Sequence, residues 1–363
     1  MTGPGGSVRP PASQGDDMRA LTYHGPEDIR VDSVPDPVLP DERGAVVEIR
    51  AAGICGSDLH IYEGHGFVPE TGYTVGHEAV GIVREVGSAV RRFAVGDEVL
   101  VSASVGCGHC RPCGRGEVFL CEHPEEAGVY GIGFALGGCQ AEAVAVPAAD
   151  TNLAPLAGLS DDAALVLTDN APTGWYGARL GRIEPGDVVA IVGLGPVGMM
   201  ALAAAQIMGA STVLAVDLVP ERRAAAAARG AVAVEGDPVE EVARLTGRRM
   251  ADVVVEAVGA DATVALAMRL AGRCGRVSVV GVSQARAFPF DLTIAQLKCL
   301  EFTIGLCSVQ RELPHLVALT HAGRLRPESV VTHHLSLDDG PDAYALFHDR
   351  RDGVGKVVLD ISP

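Results

Sequence analysis

With 46 acidic against 29 basic side chains and a formal net charge of −17, this 363-residue chain repels phosphate backbones, which excludes nucleic acid as an expected partner. Nearly half of the residues are hydrophobic (48%), glycine is abundant (45) and aromatics are few (4%). That balance fits an α/β enzyme with room for two domains, and not a disordered or fibrous chain.

In chain order, residues 1–17 (MTGPGGSVRPPASQGDD) have no apolar core and read as a disordered extension, not a signal peptide. From Met18 to about Pro155, apolar runs such as AVVEIR (45–50), AVGIVREV (79–86) and GDEVLV (96–101) alternate with Gly, Pro and Asp turns, predicting a mostly β domain. The run AALVLT (163–168) then meets an acid, Asp169, where a buried helix is about to continue. Such a carboxylate is either a helix cap ahead of Pro172 or a group with a stronger partner elsewhere.

The pattern changes at VVAIV (188–192), a buried strand, followed by a predicted helix over 198–209 and a strand at 213–216. A helix over 221–229 stopped by Gly230, and strands at 253–256, 276–280 and 301–304, continue the alternation. Strands alternating with helices predict a parallel, doubly wound (Rossmann) sheet. The uncharged span 188–216 is the one that mimics a membrane helix, but its four glycines and a proline parse it as strand, turn, helix and strand. No membrane association is expected, and a cytoplasmic location follows. Beyond residue 308, a helix, a strand and a final KVVLD strand (356–360) are expected to return to the first domain. The division is therefore 18–170 with 309–363 for one domain and 171–308 for the other.

An odd count of nine cysteines argues for thiolate ligands over a disulfide framework. Cys107, Cys110, Cys113 and Cys121 give the spacing C-x2-C-x2-C-x7-C on a Gly- and Pro-containing loop. Four thiolates closing around one ion make a structural zinc site with no open position; an iron–sulfur cluster is the rival. His109, inside the loop, is expected to be solvated.

Gly193-Leu-Gly195-Pro196-Val197-Gly198 follows a strand and opens a helix, the context a dinucleotide fingerprint requires. The first glycine makes the turn, the second admits the pyrophosphate, and the third lets helix and strand pack. Asp217 ends the next strand, where an acid binds ribose hydroxyls and repels a 2′-phosphate. NAD is therefore expected over NADP, with Arg222 nearby as a counter-argument.

Two further runs, Gly53-Ile-Cys55-Gly-Ser57-Asp58-Leu-His60 and Gly76-His77-Glu78-Ala-Val-Gly81, complete a set. With the four-Cys loop and the glycine turn in this order, the chain resembles the zinc-dependent medium-chain alcohol dehydrogenases over about residues 18–363. The stretch TDNAPTGWYGA (168–178) and GLCSV (305–309) resemble the bacterial formaldehyde-dehydrogenase-like branch. The resemblance implies a GroES-like catalytic domain and a catalytic zinc held by Cys55, His77 and Asp169, the last standing where much of the family has cysteine. A thiolate, a neutral imidazole and a carboxylate still balance the two charges of the ion, and the harder oxygen leaves it more Lewis-acidic. By the same resemblance Glu78 is an inner-shell acid, able to approach the zinc transiently or tune its field, and Ser57 and His60 relay a proton outwards. Thr173 packs against the nicotinamide, Leu306 and Cys307 face its carboxamide, and Lys356 contacts the pyrophosphate.

The implied protein is a zinc-containing oxidoreductase moving a hydride between an alcohol, or its aldehyde or ketone, and NAD. It carries two Zn2+ per chain and assembles as a homodimer or homotetramer. The alternatives are a polyol or amino-sugar dehydrogenase of a biosynthetic pathway, a formaldehyde-dismutating relative, and a catalytically silent NAD- or zinc-binding module.

Overall fold

The computed structural model describes residues 17–134, 136–283 and 287–361. The expected N-terminal extension lies outside the described residues except for Asp17, which already begins the strand Asp17–Gly25. Among the described residues no helix is long and apolar enough to cross a membrane.

Two sheets carry the molecule. The first has seven strands, in the order Leu153–Pro155, Glu98–Val101, Glu78–Val86, Ala45–Ile54, Lys356–Asp360, Val331–Ser336, with Ala143–Val146 also pairing with Ala45–Ile54. Its central strand Ala45–Ile54 is buried at all but two positions and runs antiparallel to its neighbours. The last strand of the chain therefore sits beside this early one, with Val357 opposite Ile54. A separate three-stranded sheet covers one flank.

The second sheet has six parallel strands, in the order Val232–Ala233, Thr212–Val216, Val188–Val192, Ala251–Glu256, Ala271–Val279, Glu301–Ile304. Numbered by sequence this is 3-2-1-4-5-6, the doubly wound arrangement. Val188–Val192 and Thr212–Val216 are apolar on both faces because helices cover both sides, as parallel sheets require. The order reverses between Val188–Val192 and Ala251–Glu256, and such a switch point opens a crevice at the carboxyl ends of the strands.

Several predicted boundaries move by one to five residues. The helix after the glycine turn is Pro196–Met208, beginning two residues earlier than expected, because proline at the first helical position is pre-set in φ and needs no amide donor. The next helix is Pro220–Ala227, for the same reason at its start. The fifth strand begins at Ala271 instead of 276, passing through Cys274 at φ 56.

The helices Asp161–Leu167 and Asn170–Leu180 cross from one sheet to the other. Ser160 caps the first, its Oγ accepting from Ala163 N at 3.3 Å, and five of that helix's seven residues are buried. The second packs along Pro196–Met208 so closely that a Cβ on Gly174 would lie 2.5 Å from Ala201 N. Asp169, between these helices, is thereby held at the mouth of the crevice.

Candidate active site

A cleft of about 930 Å³ runs between the first sheet and the switch point of the second. At one end the carboxyl end of Ala45–Ile54 delivers Cys55, and the short helix Gly56–Tyr62 that follows carries Ser57 and His60 three residues apart, hence on one face. His77 immediately precedes the neighbouring strand Glu78–Val86. Asp169 comes from the opposite side, between the two crossing helices.

These side chains converge. Cys55 Sγ lies 3.4 Å from Asp169 Oδ2, and His77 Nε2 lies 3.7 Å from the same oxygen. Ligands at ordinary zinc distances sit about 3.4–3.6 Å apart across a tetrahedron, so a thiol, an imidazole and a carboxylate at these spacings fit one zinc ion. Asp169 occupies the N-cap position of Asn170–Leu180, but its carboxylate accepts no backbone amide there, so the side chain is not acting as a cap. Its Oδ1 instead accepts from the Thr173 hydroxyl at 3.0 Å, leaving Oδ2 turned to the donor set.

The electrostatics suit a cation. Burial pushes the Cys55 thiol up, with the charges of Asp169 and Glu78 adding to it. Burial works against charge on the His77 ring, but Asp58 and Asp169 outweigh it and hold the ring protonated well above its ordinary range. Burial likewise opposes charge on Asp169, yet the His77 ring, with Lys356 and the Cys55 thiol, holds that carboxyl down at about 2. A bound cation competes with the protons on the thiol and the imidazole.

Two residues that sequence reasoning passed over support this set. Asp58 is 1% exposed; its Oδ2 accepts from Cys55 N at 2.8 Å, and its Oδ1 lies 3.1 Å from His77 Nδ1, out of hydrogen-bond alignment. A carboxylate behind the outer nitrogen fixes the ring so that Nε2 faces the other donors. The only sequence signal was an acid three residues past a cysteine. Asn170 is fully buried and touches Glu78, Asp169 and Cys55; nothing in its local sequence marks it.

Glu78 does not line the cleft; it stands behind the donors, with Oε1 accepting from Asn170 and Oε2 paired with Lys356. This corrects the expected role of Lys356. That side chain is 0% exposed, donates to the Ile54 carbonyl at 2.9 Å and neutralises Glu78, so it offers nothing to a pyrophosphate. A lysine is buried this deeply only when paired, and the Glu78 carboxylate is its partner.

The cleft continues to the glycine turn. Gly193 has φ 89, a left-handed conformation, and its amide donates to Val216 O at 2.9 Å. Gly198 packs under the turn, where a Cβ would come 1.8 Å from Gly193 O. Beside Gly195, by contrast, a Cβ would meet nothing nearer than Arg222 Nη1 at 4.0 Å, so an open cradle lies at the N-terminus of Pro196–Met208. Free backbone amides and the helix dipole there suit a phosphate. Asp217 braces the turn, with Oδ2 accepting from Leu194 N at 2.7 Å and Oδ1 from Val219 N at 2.8 Å. Pro196, Val197, Asp217 and Arg222 line this end of the cleft, and Thr173, Leu306 and Cys307 line its middle.

Apart from the cleft, the four loop sulfurs lie within 4.8 Å of one another, with Cys107–Cys113 and Cys110–Cys121 both at 3.9 Å. A zinc about 2.3 Å from each of four sulfurs spaces them about 3.8 Å apart. A multi-iron cluster needs room for several irons and sulfides between its thiolates, so this spacing fits a single ion. The amides of His109 and Cys110 point at Cys107 Sγ, at 3.5 and 3.4 Å, while the His109 ring is exposed and stacks on His123.

Family models match twice: an alcohol dehydrogenase GroES-like domain over residues 41–157 and a zinc-binding dehydrogenase over 196–321. A probable zinc-binding alcohol dehydrogenase of Mycobacterium tuberculosis is 42% identical, over 92% of this chain and 86% of that protein. The solved structure of alcohol dehydrogenase TADH from Thermus sp. ATN1 superposes with a TM-score of 0.88 at 41% identity, covering 95% of this chain and all of that one. A glutathione-independent formaldehyde dehydrogenase of Pseudomonas aeruginosa is 38% identical over 67% of this chain and 66% of its own, so the resemblance to that branch is partial. Two further solved relatives hold NADH in one case and NADP in the other. The chain belongs to the zinc-dependent medium-chain alcohol dehydrogenases. It is a zinc-dependent oxidoreductase built from a GroES-like unit and a parallel Rossmann-type sheet.

Proposed function

We propose that the protein oxidises an alcohol bearing an apolar chain or ring to its aldehyde or ketone, and runs the reverse reduction, with NAD as the hydride carrier. The observation that carries this reading is the convergence of Cys55, His77 and Asp169 at the head of a cleft whose other end is an open glycine cradle.

In this reading these three residues hold a catalytic zinc and the four loop cysteines a structural one. When bound, the catalytic ion supplies a Lewis acid to the substrate oxygen and NAD supplies the hydride acceptor. The chain's own residues do the rest. The Ser57 hydroxyl, whose Oγ is 3.2 Å from His77 Nε2, receives the alcohol proton, and His60 on the same helix face passes it outwards. The N-terminus of Pro196–Met208 seats the pyrophosphate, and Leu306 and Cys307 flank the nicotinamide. Asp217 faces the adenosine ribose and disfavours a 2′-phosphate, while Arg222 beside it limits that preference.

Leu59, Phe67, Phe119, Val129 and Ile132 are apolar residues of the cleft lining assigned in this reading to the substrate, and Ser57, His60, Glu63 and Ser104 are polar groups of the same lining. Such walls reject a polyol or amino sugar, whose hydroxyls would lose water without gaining partners. This favours a simple alcohol over both. In the same reading the chain divides at 170/171 and 308/309, one sheet to each unit. The edge strand Glu301–Ile304, with Ile304 62% and nearby Leu297 78% exposed, is the surface through which a homodimer, alone or within a tetramer, would pair. Nine unpaired thiols suit the reducing cytoplasm.

The test joins metal analysis to a substrate panel. Purified protein should hold about two zinc ions per chain and Cys55→Ser about one. Initial rates with NAD should favour alkyl or aryl alcohols over sorbitol-like polyols. One zinc in both proteins, or a preference for polyols, would sink the reading.

A further inference from the structure

Asn170 is 0% exposed, and its Nδ2 has three acceptors around it: Glu78 Oε1 at 2.7 Å, Asp169 Oδ2 at 3.2 Å and Cys55 Sγ at 3.6 Å. An amide nitrogen carries two protons. One fits the short contact to Glu78, and the other is shared between the carboxylate and the sulfur. Turning the amide over would set Oδ1 against two carboxylates and a sulfur, so the acceptors alone decide its orientation. Oδ1 is then left buried without a partner, a cost that a side chain serving only to fill space would not incur.

Glu78 is gripped on both oxygens, by Lys356 on Oε2 and by Asn170 on Oε1. Yet a Glu78 oxygen lies within 4.8 Å of the donor atoms of Cys55, His77 and Asp169, close enough to join them. Its two hydrogen-bond partners, Lys356 and Asn170, hold it back.

We propose that Asn170 is a positioning residue for the catalytic metal. Its amide ties Glu78 back, so that three ligands and not four face the ion and one position stays open. It also draws charge from the Cys55 sulfur and the Asp169 carboxylate, leaving the ion more Lewis-acidic. This rests on reading Cys55, His77 and Asp169 as zinc ligands.

Asn170→Asp keeps the shape, removes the donor and sets a carboxylate against Glu78. The zinc of the catalytic site should then bind about 10-fold or more tightly in a chelator competition, because Glu78 is freed to join ligands that have lost a donor, while the structural zinc stays at parental affinity as a check on folding. With cobalt(II) in the catalytic site, the sulfur-to-cobalt charge-transfer band should move to longer wavelength, because the thiolate has lost its donor. Glu78→Gln combined with Asn170→Asp exchanges amide and carboxylate and should return the zinc affinity to the parental value, leaving the band shifted. Asn170→Ser, which adds no charge, is read the same way if the aspartate variant does not fold. Parental zinc affinity with an unshifted band overturns the proposal, as does a double variant whose zinc affinity does not return to the parental value. A parent protein with only the structural zinc overturns the ligand reading instead.

Discussion

Asp169 stands where a helix cap belongs and does not cap. Its backbone, at φ −152 and ψ −62, turns the carboxylate away from the free amides of Asn170–Leu180 and towards Cys55 and His77. A cap contributes about 0.5–2 kcal/mol, whereas a zinc ligand set contributes on the order of 10 kcal/mol, so the larger interaction decides. Asp169→Asn keeps the size and the Thr173 hydrogen bond but removes the charge. We expect it to fold, to lose about one zinc per chain by metal analysis, and to lose at least ~100-fold in turnover. Activity surviving intact would return Asp169 to a capping role. Local sequence left this choice open because cap and ligand look alike in TDNAPTG; the deciding partner, Cys55, is 114 residues away. The same distance hid Asn170, whose importance comes from its neighbours and not from its type.

Among the elements, the glycine turn was the most legible, since each glycine answers a local steric demand that fixed spacing reveals. Gly198 is the sharpest case. A methyl there meets the Gly193 carbonyl at 1.8 Å, so the turn must shift and spoil the cradle at Gly195. Gly198→Ala should therefore raise the Kd for NADH at least ~10-fold in a fluorescence titration while both zinc ions remain. Unchanged affinity would show that the phosphates are seated elsewhere. The strand KVVLD was equally legible as a strand, but Lys356 was misread, because a lone lysine near a chain end is usually solvated. Its partner Glu78 lies 278 residues earlier and is adjacent only after the last strand has entered the first sheet.

At the scale of the whole molecule, that returning strand also steadies the helix that delivers Asp169. His334, on Val331–Ser336, lies with Nδ1 3.2 Å from Asp360 on the last strand and Nε2 3.3 Å from Asp162 on Asp161–Leu167. Burial opposes charge on the ring, but Asp360 and Asp162 outweigh it and raise its pKa in the folded protein above the ordinary value of 6.5. A group whose folded pKa is raised stabilises fully below its unfolded pKa, and the contribution fades as pH rises through the folded value. The ring is 44% exposed, so solvent screens the pairs and the effect is small. His334→Gln should lower Tm by about 1–3 °C at pH 5.5, and by less at pH 8.5, as the parent ring gives up its proton with rising pH. Added salt should shrink the difference more at pH 5.5 than at pH 8.5. A Tm gap of constant size from pH 5.5 to 8.5 would mean that His334 joins these elements by packing, and not by charge.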